Sequence, residues 1–127
     1  MFELEMQVRD YECDMQGVVN NAVYQNYLEH ARHQFLLAKG IHFAEVTAQG
    51  IHLMVVRAEL DYKMPLKPND RFVVRLRLVA EGRCKVAFMQ DIIREDGTLM
   101  LAAKIIGVTV KNGRPVRLLD ELLALVS

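Results

Sequence analysis

Apolar and polar residues alternate along several stretches of the chain, which is the pattern of β-strands that bury one face. The first stretch alternates Phe2, Leu4, Met6 and Val8 with polar neighbours. Glycine, proline and asparagine residues separate the stretches and predict turns. The strands predicted in this way cover residues 2–8, 56–64, 72–78, 84–94 and 99–110.

A different period begins near Ala22 and predicts one long helix. Apolar residues recur there every three or four positions, and Arg32 falls on the polar side. Asn20 or Asn21 is placed to cap the first turn, and Gly40 follows the last. A helix of roughly 17 residues would be about 25 Å long, enough to cross a sheet. Shorter helical segments are predicted at 43–49 and 118–126.

The order of these elements is a strand, a long helix and four more strands, which predicts an α+β fold. The connections among the last four strands are short and favour antiparallel neighbours. A sheet of about five strands would bury its apolar face against the long helix. The length of 127 residues predicts a single domain over residues 1–127.

Charge and composition exclude several classes of function. Sixteen basic residues balance sixteen acidic ones, so the chain has no electrostatic footprint for nucleic acid. No uninterrupted apolar run reaches about 18 residues, so no membrane span is expected. The first ten residues lack the pattern of a signal peptide, which favours a cytoplasmic location. Two cysteines without a CxxC pair predict neither a disulfide nor a zinc site.

The residue types that are missing narrow the chemistry further. The only serine is Ser127, so a Ser-His-Asp hydrolase is excluded. The sequence also lacks HExxH, the phosphate-binding GxxxxGK[ST] motif and the dinucleotide motif GxGxxG. We therefore expect no metal and no redox cofactor.

One stretch, YECDMQGVVNNAVY, places an acid shortly before the long helix. Asp14 lies seven residues before Asn21, and Gly17 between them permits a close approach of the backbone. Helix N-termini present free amide hydrogens and a partial positive charge. A carboxylate beside such donors suits hydrolysis of an activated acyl group such as a thioester, with Asp14 as general base or nucleophile. Cys13 is expected to be a small buried residue. It is not expected to act as a nucleophile, because a neighbouring carboxylate disfavours its thiolate.

Two stretches resemble a known family. The run VRDYECDMQGVVNNAVYQNYLEHARHQFL resembles the signature of hotdog-fold acyl thioesterases, in the 4-hydroxybenzoyl-CoA thioesterase-like group. It is most similar to plant acyl-carrier-protein (ACP) thioesterases of the methylketone-synthase-two type and their bacterial relatives. The later AELDYKMPLKPNDRFVV is similar to the family's crossing from the second to the third strand. The resemblance implies a hotdog fold, in which a curved antiparallel sheet wraps around one long helix, with a short C-terminal helix.

The resemblance also implies roles for individual residues. Asp14 matches the catalytic carboxylate, and the backbone amide of Asn21 stands where the family polarises the thioester carbonyl. Some relatives carry a histidine in place of Asn21, so a histidine-assisted mechanism is not expected. Tyr24 either lines the acyl pocket or packs in the core. The residues that the resemblance assigns to substrate binding are Gly17, Val18, Val19, Asn20 and Tyr24.

The implied substrate is an acyl-CoA or acyl-ACP thioester, with fatty acyl chains favoured. The implied assembly is a homo-oligomer in which two sheets join edge to edge and the sites lie between subunits, as a dimer or as a homotetramer of two dimers. Two alternatives stay open. One is an acyl-thioester hydratase or dehydratase on the same fold, although the histidines form no recognisable hydratase motif. The other is a non-catalytic protein that binds acyl thioesters.

Overall fold

The computed structural model describes residues 1–126, apart from the side chain of Phe43. Its strands are β1 (Phe2–Gln7), β2 (Ile51–Tyr62), β3 (Arg71–Ala80), β4 (Lys85–Arg94), β5 (Leu99–Lys111) and the short β6 (Arg114–Pro115). Its helices are α1 (Asn21–Ala38), α2 (Phe43–Ala48) and α3 (Asp120–Leu123), and a single 3₁₀ turn covers Asp10–Glu12. Among the described residues, no helix combines the length and the hydropathy that a membrane crossing requires.

The strands form one antiparallel sheet in the order β1-β3-β4-β5-β2, and β6 pairs with the end of β5. Strand β5 lies inside the sheet, between β4 and β2. The prediction that all four later strands neighbour one another in sequence order was wrong for β2. Strand β2 pairs with β5 instead. Residues 63–70 therefore cross from the β2 edge of the sheet to β3, and β3 pairs with β1.

Helix α1 packs its apolar face against the concave side of the sheet, over β3 and β1. The helix is 18 residues long, and its length, capped start and end before Gly40 were predicted from the sequence. The buried residues of this face are Tyr24, Tyr27, Leu28, Ala31, Phe35 and Leu36. The β2 side of the sheet is less well covered, since Met54, Val55 and Val56 are about half exposed.

The C-terminal segment differs from its prediction in length. The sequence predicted a helix over 118–126, whereas α3 covers only Asp120–Leu123. Leu118 donates its backbone N–H to the carbonyl of Arg83 at 2.8 Å, and Val126 forms an isolated bridge with Leu78. Both ends of the predicted helix are therefore held by the body of the protein in non-helical conformations.

Candidate active site

A tight hairpin carries Asp14 ahead of helix α1. Its two limbs meet at an antiparallel bridge between Cys13 and Val19. One residue further from the tip, the N–H of Asn20 donates to the carbonyl of Glu12 at 3.0 Å. The hairpin thereby connects Asp14, at its tip, to the residue that caps the helix.

The tip itself is a turn stabilised by backbone hydrogen bonds. The N–H of Asp14 donates to the carbonyl of Val18 at 2.9 Å, and the N–H of Gly17 donates to the carbonyl of Asp14 at 3.0 Å. Oδ1 of Asp14 accepts the N–H of Gln16 at 2.9 Å. Gly17 has a φ of 75°, in the left-handed region that favours glycine, which explains why the turn needs this residue.

Helix α1 begins with one amide that is free to bind a ligand. Oδ1 of Asn20 accepts the N–H of Ala22 at 2.9 Å, and the carbonyl of Asn20 accepts the N–H of Val23. Within residues 1–126, the N–H of Asn21 has no hydrogen-bond acceptor. An unpaired amide at the positive end of a helix dipole is suited to stabilise an anion.

The carboxylate of Asp14 is exposed in the single chain. Met15, the next residue, has a large apolar side chain that is 100% exposed. Asp14 is not among the residues that line the clefts at Met1, at Leu36, at Glu5, at Phe2 or at Gln7. The described chain therefore presents this carboxylate on an exposed loop.

The crossing between β2 and β3 supports the returning limb of the hairpin. The carbonyl of Leu66 accepts the N–H of Val19 at 2.9 Å, and the N–H of Leu66 donates to Oη of Tyr24 at 2.9 Å. Tyr24 is only 3% exposed, and its ring contacts that of Tyr62. Of the two roles considered for Tyr24, the single chain places it in the core; lining an acyl pocket stays a prediction.

The other residues assigned to substrate binding form the hairpin continuously with Asp14. Gly17 and Asn20 are exposed, Val18 is half-buried and Val19 is buried. Val19 therefore anchors the loop in the core, and the exposed residues are the ones that a substrate can reach. The structure brings this whole set together at one end of α1.

Three residues that support the hairpin were not singled out as site residues by the sequence. Oη of Tyr27 donates to Oε1 of Glu12 at 2.8 Å, and the same Oε1 accepts the N–H of Arg9 at 2.7 Å. Leu66 is fully buried although it lies in a segment rich in proline and lysine. Leu66 could have been noticed in the sequence, because it is a large apolar residue between Pro65 and Lys67. The bond between Glu12 and Tyr27 depends on tertiary structure and had no signal in the sequence.

The thiol beside Asp14 is not activated. Burial raises the pKa of the Cys13 thiol, and the negative charge of Asp14 raises it further. A raised pKa lowers the fraction of thiolate, which is the nucleophilic form. The carboxylate of Asp14 is therefore the better candidate for the reactive group of the hairpin.

Comparison with known proteins places this chain in a family. A model of the thioesterase-like superfamily matches residues 8–126. The acyl-acyl carrier protein thioesterase ATL3 of Arabidopsis thaliana is 41% identical over 118 residues, and the match covers 91% of this chain but only 62% of the length of that plant protein.

Solved structures show the same architecture. The crystal structure of a hypothetical protein from Aquifex aeolicus matches with a TM-score of 0.91 at 31% identity over the whole of both chains. A 1,4-dihydroxy-2-naphthoyl-CoA thioesterase from Synechocystis matches with a TM-score of 0.93 at 20% identity, covering 98% of this chain and 94% of the other. The chain has the hotdog fold, and it belongs to the thioesterase-like superfamily.

Proposed function

We propose that this chain hydrolyses acyl thioesters to a free acid and a thiol, with Asp14 as the catalytic carboxylate. The observation that carries this proposal is the hairpin, which presents the exposed Asp14 carboxylate just ahead of a helix whose first amide, that of Asn21, is unpaired in the described chain. Membership of the thioesterase-like superfamily supports the same reaction.

In the general-base route, Asp14 takes a proton from a water molecule while the water oxygen forms a bond to the thioester carbonyl carbon. The carbonyl oxygen becomes an oxyanion and accepts the N–H of Asn21. The carbon–sulfur bond then breaks, the carbonyl is restored, and the departing thiolate takes up the proton. Such oxyanion donors contribute roughly 2.7–4 kcal/mol to the transition state.

In the nucleophilic route, an Asp14 oxygen attacks the carbonyl carbon and displaces the thiolate. The product is a mixed anhydride between the acyl group and Asp14, which water then hydrolyses. Both routes give the same acid and thiol. Because a thiolate leaves more readily than an amine, one carboxylate and one or two amide donors suffice, and neither route requires a metal or a redox cofactor.

The proposed substrate is a fatty acyl thioester of acyl carrier protein or coenzyme A. The similarity to an acyl-acyl carrier protein thioesterase of Arabidopsis supports a carrier-bound acyl chain. The exposed apolar side chain of Met15, next to Asp14 in sequence, would be compatible with the entry of an apolar acyl chain.

The proposed active assembly contains two chains joined along β2. This strand has 12 residues, forms the edge of the sheet and exposes the apolar Met54, Val55 and Val56. Long apolar edge strands are usually covered in native proteins. A second copy pairing antiparallel along this edge would cover the apolar residues and complete a crevice at Asp14. A homotetramer, a cytoplasmic location and a single domain over residues 1–127 stay predictions.

A screen of free-thiol release tests the proposed function. The protein is incubated with acyl-CoA and acyl-ACP thioesters from short to long chains, and released thiol is measured with a chromogenic disulfide. Turnover on at least one fatty acyl thioester is expected. Hydration of an enoyl thioester without thiol release would instead favour a hydratase. Stabilisation by acyl thioesters with no reaction would favour a non-catalytic binding protein.

A further inference from the structure

Two tyrosine hydroxyls on α1, one turn apart, hold the two limbs of the hairpin that carries Asp14. Oη of Tyr27 donates to Oε1 of Glu12 at 2.8 Å and so holds the outgoing limb. Oη of Tyr24 accepts the N–H of Leu66 at 2.9 Å, and Leu66 in turn binds the returning limb. The hairpin is thus tied to the same helix whose N-terminus supplies the amide of Asn21.

The hydrogen bond between Tyr27 and Glu12 is well suited to hold the hairpin in place. Tyr27 is 2% exposed, and its ring packs against that of Phe72 with centroids 4.9 Å apart. Burial, followed by the hydrogen bond to Glu12, strongly raises the pKa of the Tyr27 hydroxyl, so it stays protonated and donates at any physiological pH. Hydrogen bonds to a charged acceptor are stronger than those between neutral groups.

Glu12 connects the bond with Tyr27 to the hairpin that carries Asp14 and to the start of α1 at Asn21. Its Oε1 also accepts the N–H of Arg9, which holds the 3₁₀ turn before the hairpin. Its backbone carbonyl accepts the N–H of Asn20, the residue just before the free amide. Within the part of the chain that the structure describes, the side chain of Asp14 itself bonds only locally, to the N–H of Gln16. The placement of the carboxylate relative to α1 therefore depends on Glu12.

We propose that Tyr27 and Glu12 are positioning residues, which fix the hairpin so that the Asp14 carboxylate and the Asn21 amide reach the same thioester carbonyl. This role rests on the proposed thioesterase function. It assigns neither residue contact with the substrate: both act through the hairpin.

The first test compares Tyr27→Phe with the wild type. The substitution keeps the buried ring and removes only the hydroxyl. Because a misplacement of about 1 Å can cost up to about a hundredfold in rate, we expect kcat per folded molecule to fall about tenfold or more while KM changes less than about twofold. Tyr11→Phe is the matched control, since its exposed hydroxyl accepts only from Arg9 and its loss should leave kcat unchanged.

Conservative and non-conservative changes at Glu12 separate positioning from general stability. Glu12→Gln keeps an oxygen that can accept from Tyr27 and Arg9, so it should retain kcat within about threefold. Glu12→Ala should lower kcat as Tyr27→Phe does. The double variant Tyr27→Phe/Glu12→Ala should be no slower than Glu12→Ala alone, because both substitutions remove the same bond between Tyr27 and Glu12.

Two kinetic results would overturn the proposal: wild-type kcat per folded molecule in Tyr27→Phe with only a lower melting temperature, or equal losses in Glu12→Gln and Glu12→Ala. Amide hydrogen exchange over residues 12–20 gives a readout independent of turnover. Exchange there should accelerate in Tyr27→Phe and not in Tyr11→Phe. Unchanged exchange in Tyr27→Phe would also show that the bond between Tyr27 and Glu12 does not hold the hairpin. If the wild type itself releases no thiol, the proposed function fails, and exchange still decides whether this bond holds the hairpin.

Discussion

A thiol and a carboxylate stand next to each other at the hairpin, and their environments give them different chemistry. Cys13 is half-buried next to the bridge with Val19, and its pKa is raised by burial and by the charge of Asp14. Asp14 is exposed at the tip. The alternation of side chains along the limb therefore separates a structural thiol from a carboxylate that can meet a substrate.

This difference predicts slow alkylation of Cys13. A Cys84→Ala variant leaves Cys13 as the single thiol, and its reaction with iodoacetamide follows the thiolate fraction. A raised pKa moves the rise in rate to higher pH, so at pH 7 the native protein should react at least about threefold more slowly than the same chain unfolded in urea. Equal or faster alkylation of the native protein would contradict the assigned environment.

A buried amide shows how a polar side chain is accommodated in the core. Gln90 is nearly inaccessible, yet its Nε2 donates to the carbonyl of Leu28 at 3.0 Å and its Oε1 accepts from Nη1 of Arg32 at 3.2 Å. The sequence placed Arg32 on the polar side of the helix, whereas it is half-buried, and this burial lowers the pKa of its guanidinium. The helix period alone could not identify its partner, because Gln90 is 58 residues away.

Among the elements, the start of α1 contributes most to the candidate site, because its capping interaction does not use the first helical amide. The side chain of Asn20 accepts the N–H of Ala22, and the N–H of Asn21 is unpaired in the described chain. The cap therefore stabilises the helix without occupying the Asn21 amide.

Replacing Asn20 tests the cap. Asn20→Ala removes the acceptor of the Ala22 N–H and should lower the free energy of unfolding by about 1 kcal/mol in urea titrations. Asn20→Asp keeps the acceptor and adds a negative charge at the positive end of the helix dipole, so its stability should match or exceed that of the wild type. A loss in Asn20→Asp as large as in Asn20→Ala would show that Oδ1 is not the stabilising group.

The elements that could be predicted from the sequence are those fixed by local pattern. Helix α1 and its cap follow from residues next to each other, and Gly17 marked the turn that its positive φ now explains. The pairing of β2 with β5 could not be predicted from local pattern, because it depends on contacts distant in sequence. Only the resemblance of residues 58–74 to a family segment indicated the crossing between β2 and β3. Asp14 and Asn21 could be proposed as candidates because they lie in one continuous stretch. The supporting pair Glu12 and Tyr27 could not, because its bond joins two separate elements.

Over the whole molecule, the sheet is covered unevenly. Helix α1 covers the β1 and β3 side of the sheet, and β2 presents its edge and several apolar side chains to solvent. A register shift between Val55 and Arg57 bends this edge at Val56. The same chain leaves the Asp14 carboxylate exposed. A second copy along β2 would account for both features.

A charge introduced on this edge tests the dimer. Val56 is 54% exposed, so Val56→Lys should be tolerated by the single chain, yet it would bury a cation in a β2–β2 interface. We expect light scattering to show a shift from dimer towards monomer, with thioesterase activity lost in proportion. Leu123→Lys on α3 is the matched control and should leave both unchanged. A variant that remains dimeric and active would place the interface elsewhere.

The proposed reaction depends on the Asp14 carboxylate, so the decisive measurement is the thioesterase turnover of Asp14→Asn. The asparagine can still accept the N–H of Gln16, so the hairpin should stay folded. We expect kcat to fall at least about a hundredfold, as for loss of a catalytic base or nucleophile. Asp10→Asn, the same change four residues earlier, should turn over at the wild-type rate. Wild-type turnover in Asp14→Asn would show that this carboxylate does not catalyse the reaction.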